Sequence, residues 1–460
     1  MGQQNVVVAA LAAMTLAAFT ACTKTPETTL REALAAQQSG VIHLPAGELL
    51  LAEPLRVASG AHDLEIRGAS ASTSKITASA QFQGKALFIV EGAKNILFTD
   101  FSMDGNRALL ARPYEMAPPE NAFRIWYPTN GILADQVEGL KMERLDLRNV
   151  VHFPILISRS SAVRIREVNI QDSGNLNAKG RNNLSGGILL EEGTADFEVR
   201  NSTFENIRGN GLWTHSLFTS PQSLDGAFID NKFHTIGRDA IQVGHAKRVN
   251  VERNSGKDIG YPFEVVDVEN AGTPVAIDTA GDVPGSQYLH NTFDEINGKC
   301  MDLDGFHDGI VMDNTCTNRK KAVDYPNGHF GIVMNNSNPA THSNNIELNG
   351  NTINGAKYGG LFLMGSKNRI VQNRFLNINL AGCNESSPAC VYKGDEPQIL
   401  ETGIYLGRGV ARLEDTRDNV IRGNTVTGFK MKSRCMATGP GVVKGANTVE
   451  ENTCRDVPVR

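Results

Sequence analysis

Val311-Met312-Asp313-Asn314-Thr315-Cys316 is one copy of a phrase that returns along most of this chain. Further copies read Phe228-Ile229-Asp230-Asn231-Lys232-Phe233, Tyr288-Leu289-His290-Asn291-Thr292-Phe293, Ile370-Val371-Gln372-Asn373-Arg374-Phe375 and Ile421-Arg422-Gly423-Asn424-Thr425-Val426, and Glu450-Glu451-Asn452-Thr453-Cys454 repeats its end. Where no loop intervenes the asparagines recur at 22 or 23 residues, as from Asn231 to Asn254, Asn291 to Asn314 and Asn351 to Asn373. A period of this length marks stacked units, each too small to bury its own apolar face. A second phrase, Gly–hydrophobic–x–hydrophobic, alternates with the first: Gly187-Ile188-Leu189-Leu190, Gly211-Leu212-Trp213-Thr214, Ala240-Ile241-Gln242-Val243, Gly331-Ile332-Val333-Met334, Gly360-Leu361-Phe362-Leu363 and Gly403-Ile404-Tyr405-Leu406. Its two-residue period is that of a strand with one face in and one face out. Asn at a corner tolerates left-handed backbone, and its amide can bond the equivalent Asn one turn away. Short stacked strands with Asn corners predict an all-β parallel β-helix.

In these repeats the chain resembles the pectate-lyase-like superfamily of right-handed parallel β-helices, over residues 41–460. The resemblance implies a solenoid whose ligands lie in a groove on the first parallel sheet, the one built from the Gly–hydrophobic strands. It implies no particular activity. Thr29-Leu30-Arg31-Glu32 reads as a capping box that opens a short helix through Ala33, Leu34 and Gln37, ending near Gly40. Residues 23–40 are therefore a linker and a helical cap over the open end of the solenoid, where strand edges would otherwise be exposed.

The first 22 residues read as targeting sequence. The apolar run Val6 to Ala18 is shorter than the ~20 residues a membrane-spanning helix needs. Phe19-Thr20-Ala21-Cys22 resembles a bacterial lipobox, which makes Cys22 the lipidation site of a lipoprotein signal peptide. The chain is thus expected at a bacterial cell envelope, lipid-anchored or secreted, meeting the membrane only through that anchor. The remaining six cysteines suit disulfides in an exported protein. Their spacing favours neighbours, Cys300–Cys316, Cys383–Cys390 and Cys435–Cys454. A net charge of −5 on 460 residues gives no electrostatic footprint for nucleic acid. A monomer is expected.

If the hydrophobic positions of the Gly–hydrophobic strands point inward, the alternate ones line the groove. Read turn by turn, the outward positions are apolar at both ends and polar in the middle. The middle holds Glu191, Trp213, His215, Gln242, Asp302, Asp304 and Asn335. Three insertions flank it. The segment 105–129 brings Arg124, Trp126 and Tyr127; the gap from Asn254 to Asn291 carries Asp267, Glu269, Asp278 and Asp282; and the stretch after Asn314 carries Lys320, Lys321 and His329. Long loops in a compact solenoid are usually functional.

Asp302 and Asp304 project from one face about 7 Å apart, a separation that suits an inverting glycosidase or a Ca²⁺ held by carboxylate oxygens. The expectation is therefore an exported lyase or glycoside hydrolase acting on an acidic polysaccharide. His215, Asp302, Asp304, Lys320, Lys321 and His329 are its candidate catalytic residues, with Ca²⁺ as the one candidate cofactor. Glu191, Trp213, Gln242, Asn335, Arg124, Trp126 and Tyr127 are candidate substrate contacts, with rings for sugar faces and Arg for carboxylates. The paired-aspartate motifs of polygalacturonase-type hydrolases and the Asp-Pro-His motif of alginate epimerases are absent. The alternative is a non-catalytic glycan-binding or structural surface lipoprotein.

Overall fold

The computed structural model describes residues 25–384, 390, 399–409 and 411–459. The expected signal segment with Cys22 lies outside the described residues. Three long parallel sheets of 14, 14 and 13 strands run the length of the molecule, and neighbours in a sheet are three strands apart in sequence, or four where the short paired strands Val283–Pro284 and Phe306–His307 intervene. That order is a chain coiling through the three sheets once per turn. One sheet begins at Gly40–His43, the next at Gly47–Leu51 and the third at Leu55–Arg56. The Gly–hydrophobic strands all belong to the third, called here the groove sheet.

The inner faces stack like on like. In the groove sheet Ile132, Ile155, Ile188, Leu212, Ile241, Ile277, Met301, Ile332, Leu361 and Ile404 follow one another in register and are buried. Each strand thereby buries a face that it could not cover alone. Glycine opens these strands because turns come close there: a Cβ on Gly187 would lie 1.7 Å from the Gly211 carbonyl oxygen.

The recurrent Asn does what the sequence suggested, in part. Each side chain from Asn231 onward donates Nδ2–H to the next Oδ1, through Asn254, Asn291, Asn314, Asn351, Asn373 and Asn424 to Asn452, at 2.8–3.0 Å. The left-handed position, however, is the residue before: Asp230, Arg253, His290, Asp313, Gln372 and Glu451 have φ between 53° and 56° or close to it, at 52° for Arg253. The Asn is selected for its amide and not for its backbone.

The cap also starts earlier than its sequence reading. The helix spans Pro26–Ala36, with Pro in its first turn and the Thr25 hydroxyl accepting from Thr28 N. Thr29 and Glu32 lie inside it, so they form no capping box. Leu30 and Leu34 are buried against the first turn. The three disulfides pair as the spacing predicted: Cys300–Cys316, Cys383–Cys390 and Cys435–Cys454. The first and last tie the groove sheet to the sheet that carries Thr315–Thr317 and Thr453–Asp456, across the interior of one turn.

Candidate functional site

The groove is walled by loops at both edges of the groove sheet. Segments 105–129, 172–187, 260–274 and 318–331 all enter the sheet at one corner. They clasp one another: Tyr114 N donates to Leu176 O, Asn182 N to Val265 O, and the Tyr261 hydroxyl to Asp324 O. At the opposite edge, 216–222 and 336–346 form the second wall.

Outward positions of the sheet stack as Leu133, Leu156, Leu189, Trp213, Gln242, Asp278, Asp302, Val333, Phe362 and Tyr405. The first four do not line an open groove. The 105–129 insertion lays Phe123 and Tyr127 over them and makes a second, smaller hydrophobic core. This corrects several expectations. Tyr127 is fully buried, donating to Asn183 O and accepting from Ala117 N, so its ring is packing and not a sugar platform. Trp213 lies beneath Phe123, with ring centroids 4.9 Å apart. Glu191 is fully buried, and its carboxylate accepts from Phe123 N at 2.8 Å and Arg124 N at 3.0 Å. Burial lifts its pKa to about 7, helped by Glu192 and opposed by those two amides. Arg124 pairs with Asp135 at 3.4 Å. The Trp126 indole donates to Glu115 O. His215 packs 4.6 Å from the Phe123 ring, and desolvation, with His245 nearby, lowers its pKa to about 4. These side chains hold a loop on a sheet; that use conflicts with the roles in catalysis and sugar contact that the bare sequence assigned to them.

The polar centre survives and gains a member. Asp278 lies on the strand Val275–Ala280, paired with Gln242 on one side and Asp302 on the other. This corrects its expected place among the acids of the Asn254–Asn291 insertion: Asp278 is on a paired strand, where Thr279 occupies the second inward position. Phe263–Val265, earlier in the same insertion, is a short 3₁₀ turn in the wall. Gln242 donates to Asp278 Oδ2 at 2.7 Å and accepts from Asn210 Nδ2 at 2.7 Å. Asp239 is fully buried alongside, accepting from Val275 N and from Arg238 Nε. Burial, with the Asp239 and Asp302 carboxylates close by, holds the Asp278 carboxyl well above its usual range.

Lys299 opens the strand Lys299–Asp304 and bonds Asp302 Oδ2 through Nζ. Burial works against its ammonium, but Asp302 outweighs that and keeps its pKa above the ordinary lysine value. Asp304 accepts from Ser337 N at 2.7 Å and from Ser337 Oγ at 2.6 Å. Burial raises its pKa against those bonds. The two aspartates sought as a Ca²⁺ pair are thus engaged separately, one by an ammonium and one by Ser337, and these bonds compete with a shared cation.

Beside Asp302 a hollow of about 200 Å³ is lined by Lys299, His329, Val333, Asn335 and Phe362. Asn335 therefore does face the site. His329 does too, but desolvation and the Lys299 and Lys357 ammoniums push its pKa down to about 3, leaving a neutral imidazole. Lys320 points elsewhere, 3.7 Å from both Asp258 and Glu295. Lys321 is exposed, and its N–H bonds Asp324. The cation at the centre is Lys299, which sequence reading passed over because it precedes a cysteine outside the repeated phrase.

A family model described as "Right handed beta helix region" matches residues 121–276. No curated protein matches by sequence. Among solved structures, the catalytic domain of a GH87 α-1,3-glucanase in complex with nigerose superposes with a TM-score of 0.53 at 13% identity, covering 93% of this chain and 67% of that one. An aspartate-to-alanine variant of a GH87 α-1,3-glucanase catalytic domain, also with nigerose, gives 0.53 at 12% identity, with 93% and 67% covered. At such identities the likeness is one of fold. The three-sheet coil, the matched repeat region and these superpositions together make the chain a right-handed parallel β-helix repeat protein.

Proposed function

We propose that the centre of the groove sheet hydrolyses a glycosidic bond of a polysaccharide, with Asp278 as general acid and Asp304 as general base. One observation carries the reading: Asp278 and Asp302 stand side by side on neighbouring strands with Asp304 two residues further along, and burial raises the Asp278 carboxyl well above its usual range. With ~4.8 Å between strands and ~6.8 Å along two residues, Asp278 and Asp304 stand about 8 Å apart. That separation leaves room for a water between base and sugar, the inverting arrangement of ~6.5–9.5 Å. Burial first, then the Asp239 and Asp302 carboxylates, favour the proton on Asp278, and Asp302, held by Lys299, faces developing positive charge at the sugar ring. Asp278 then donates its proton to the leaving oxygen as Asp304 takes one from water.

The wall cations favour a neutral glycan over the acidic one expected from sequence. Arg124 and Lys320 are already paired with Asp135, Asp258 and Glu295, while the sheet presents a surplus of carboxylates. That glycoside hydrolases are built on this fold accords with the reading and rests on fold alone. The three disulfides support an oxidising compartment, in keeping with the envelope location and lipid anchor inferred at Cys22.

The test is incubation with panels of neutral and uronate polysaccharides, reading reducing ends, unsaturated ends and the anomer first released. New reducing ends of inverted configuration, lost in Asp278→Asn and in Asp304→Asn, are the expected result. Unsaturated ends would instead identify a lyase. Retained binding with no cleavage in any panel would make this a glycan-binding protein.

A further inference from the structure

Glu191, Glu192 and His215 lie away from the aspartate centre and take no part in the hydrolysis above. One carboxylate oxygen from each glutamate and one imidazole nitrogen all fall within 4.8 Å of one another. The backbone arranges this. Glu191 is directly opposite His215 in the neighbouring strand, and Glu192 follows the strand end at φ 56°, which breaks the alternation and turns two successive acids to one side. Both glutamates are buried. The Nδ1 of His215 is buried without a hydrogen-bond partner, and the half-buried ring packs against Phe123 and Trp213.

Two adjacent buried carboxylates and an unsatisfied imidazole are costly without a counter-charge. The nearby guanidiniums do not supply it by direct contact: Arg159 and Arg124 both pair with Asp135. We propose that Glu191, Glu192 and His215 bind one divalent transition-metal ion of the zinc class. Nitrogen with two carboxylate oxygens is the donor set such ions take, whereas Ca²⁺ and Mg²⁺ are held by oxygen alone. Ligand atoms around a tetrahedral ion at ~2.0–2.2 Å stand about 3.4 Å apart, so the three groups need to close only slightly. A fourth position is left for water.

The remaining contacts of the ligands show what the ion would do. Glu191 also holds the amides of Phe123 and Arg124, in the insertion that covers one end of the groove. Glu192 holds Leu217 N and the Ser220 hydroxyl, in the loop of the opposite wall. Such partners orient the ligands as an outer shell does. The ion therefore staples both walls to the sheet.

Chelator-treated protein titrated calorimetrically with ZnCl₂, with elemental analysis of the product, tests this. The expected result is one zinc per chain and a raised Tm that EDTA reverses, with no comparable response to CaCl₂. Glu192→Gln and His215→Gln should each weaken zinc binding about a hundredfold or more, while Asp278→Asn should leave it unchanged. Absence of stoichiometric zinc, a preference for Ca²⁺, or affinity indifferent to both ligand substitutions would overturn the proposal. The wild-type titration decides it even if one variant fails to fold.

Discussion

Under the proposed mechanism Asp278 is a residue whose chemistry comes at the expense of the fold. Its folded pKa lies above the unfolded value of ~3.9. The stability linked to its proton is therefore complete below ~3.9 and is lost as pH rises through the folded pKa. Asp278→Asn keeps the shape and the Gln242 bond but carries no charge at any pH. We expect the variant to unfold at a higher temperature than the wild type at pH 8. At pH 4 the two should nearly coincide, and activity should be lost at both. Thermal unfolding across that range, monitored by circular dichroism, measures it. An equal gain at both pH values would mean that the carboxyl's burial, and not its charge, is what destabilises.

At the scale of the element, the asparagine ladder is a continuous buried polar spine down a corner of an otherwise apolar solenoid. Asn314 donates to Tyr288 O, Met312 O and Asn351 Oδ1, and its own oxygen accepts from Asn291 N and Nδ2. Asn314→Ala leaves donors and acceptors from two turns unpaired in a site closed to water. A loss of about 2–4 kcal/mol is expected from such a break, read as a lower denaturant midpoint. Asn314→Asp should be damaging too, because a carboxylate cannot donate to the next Oδ1. The second device at this scale is the groove-sheet strand itself, which presents its outward residues to whatever covers them. Leu133 to Trp213 meet an apolar loop, whereas Gln242 to Asp302 meet one another and Lys299 in a polar network.

For the whole molecule, charge distribution decides more than charge total. The net charge of −5 is modest, yet the centre of the groove gathers Asp239, Asp278, Asp302 and Asp304 against Lys299 and Arg238. With Asp302 and Asp239 paired to Lys299 and Arg238 and a proton on Asp278, the uncompensated charge that a uronate polymer would meet there is that of Asp304. Cleavage of neutral glycans should therefore exceed that of uronate polymers of similar length. Residual activity on the latter should rise with added salt as repulsion is screened. Initial rates on matched substrates at low and high ionic strength test both statements.

The solenoid, its capped end, the Asn corner, the disulfide partners, the corners that carry insertions and the polar stretch containing Asp302 and Asp304 are all legible in the amino-acid sequence. These are readable because a coil repeats: each turn packs only on its neighbours, so local pattern and spacing carry the information. Only the tertiary structure decided which outward residues are open. Phe123 and Arg124 reach Glu191 across 68 and 67 residues of sequence, and no periodicity announces that contact. Asp278 was hidden for the same kind of reason, since its strand is recognised by pairing with Gln242 and Asp302 once Thr279 has blurred its alternation. Whether a carboxylate or an imidazole on this sheet is a reactant, a ligand or a buried peg depends on solvent access and neighbouring charge. Distant loops set both.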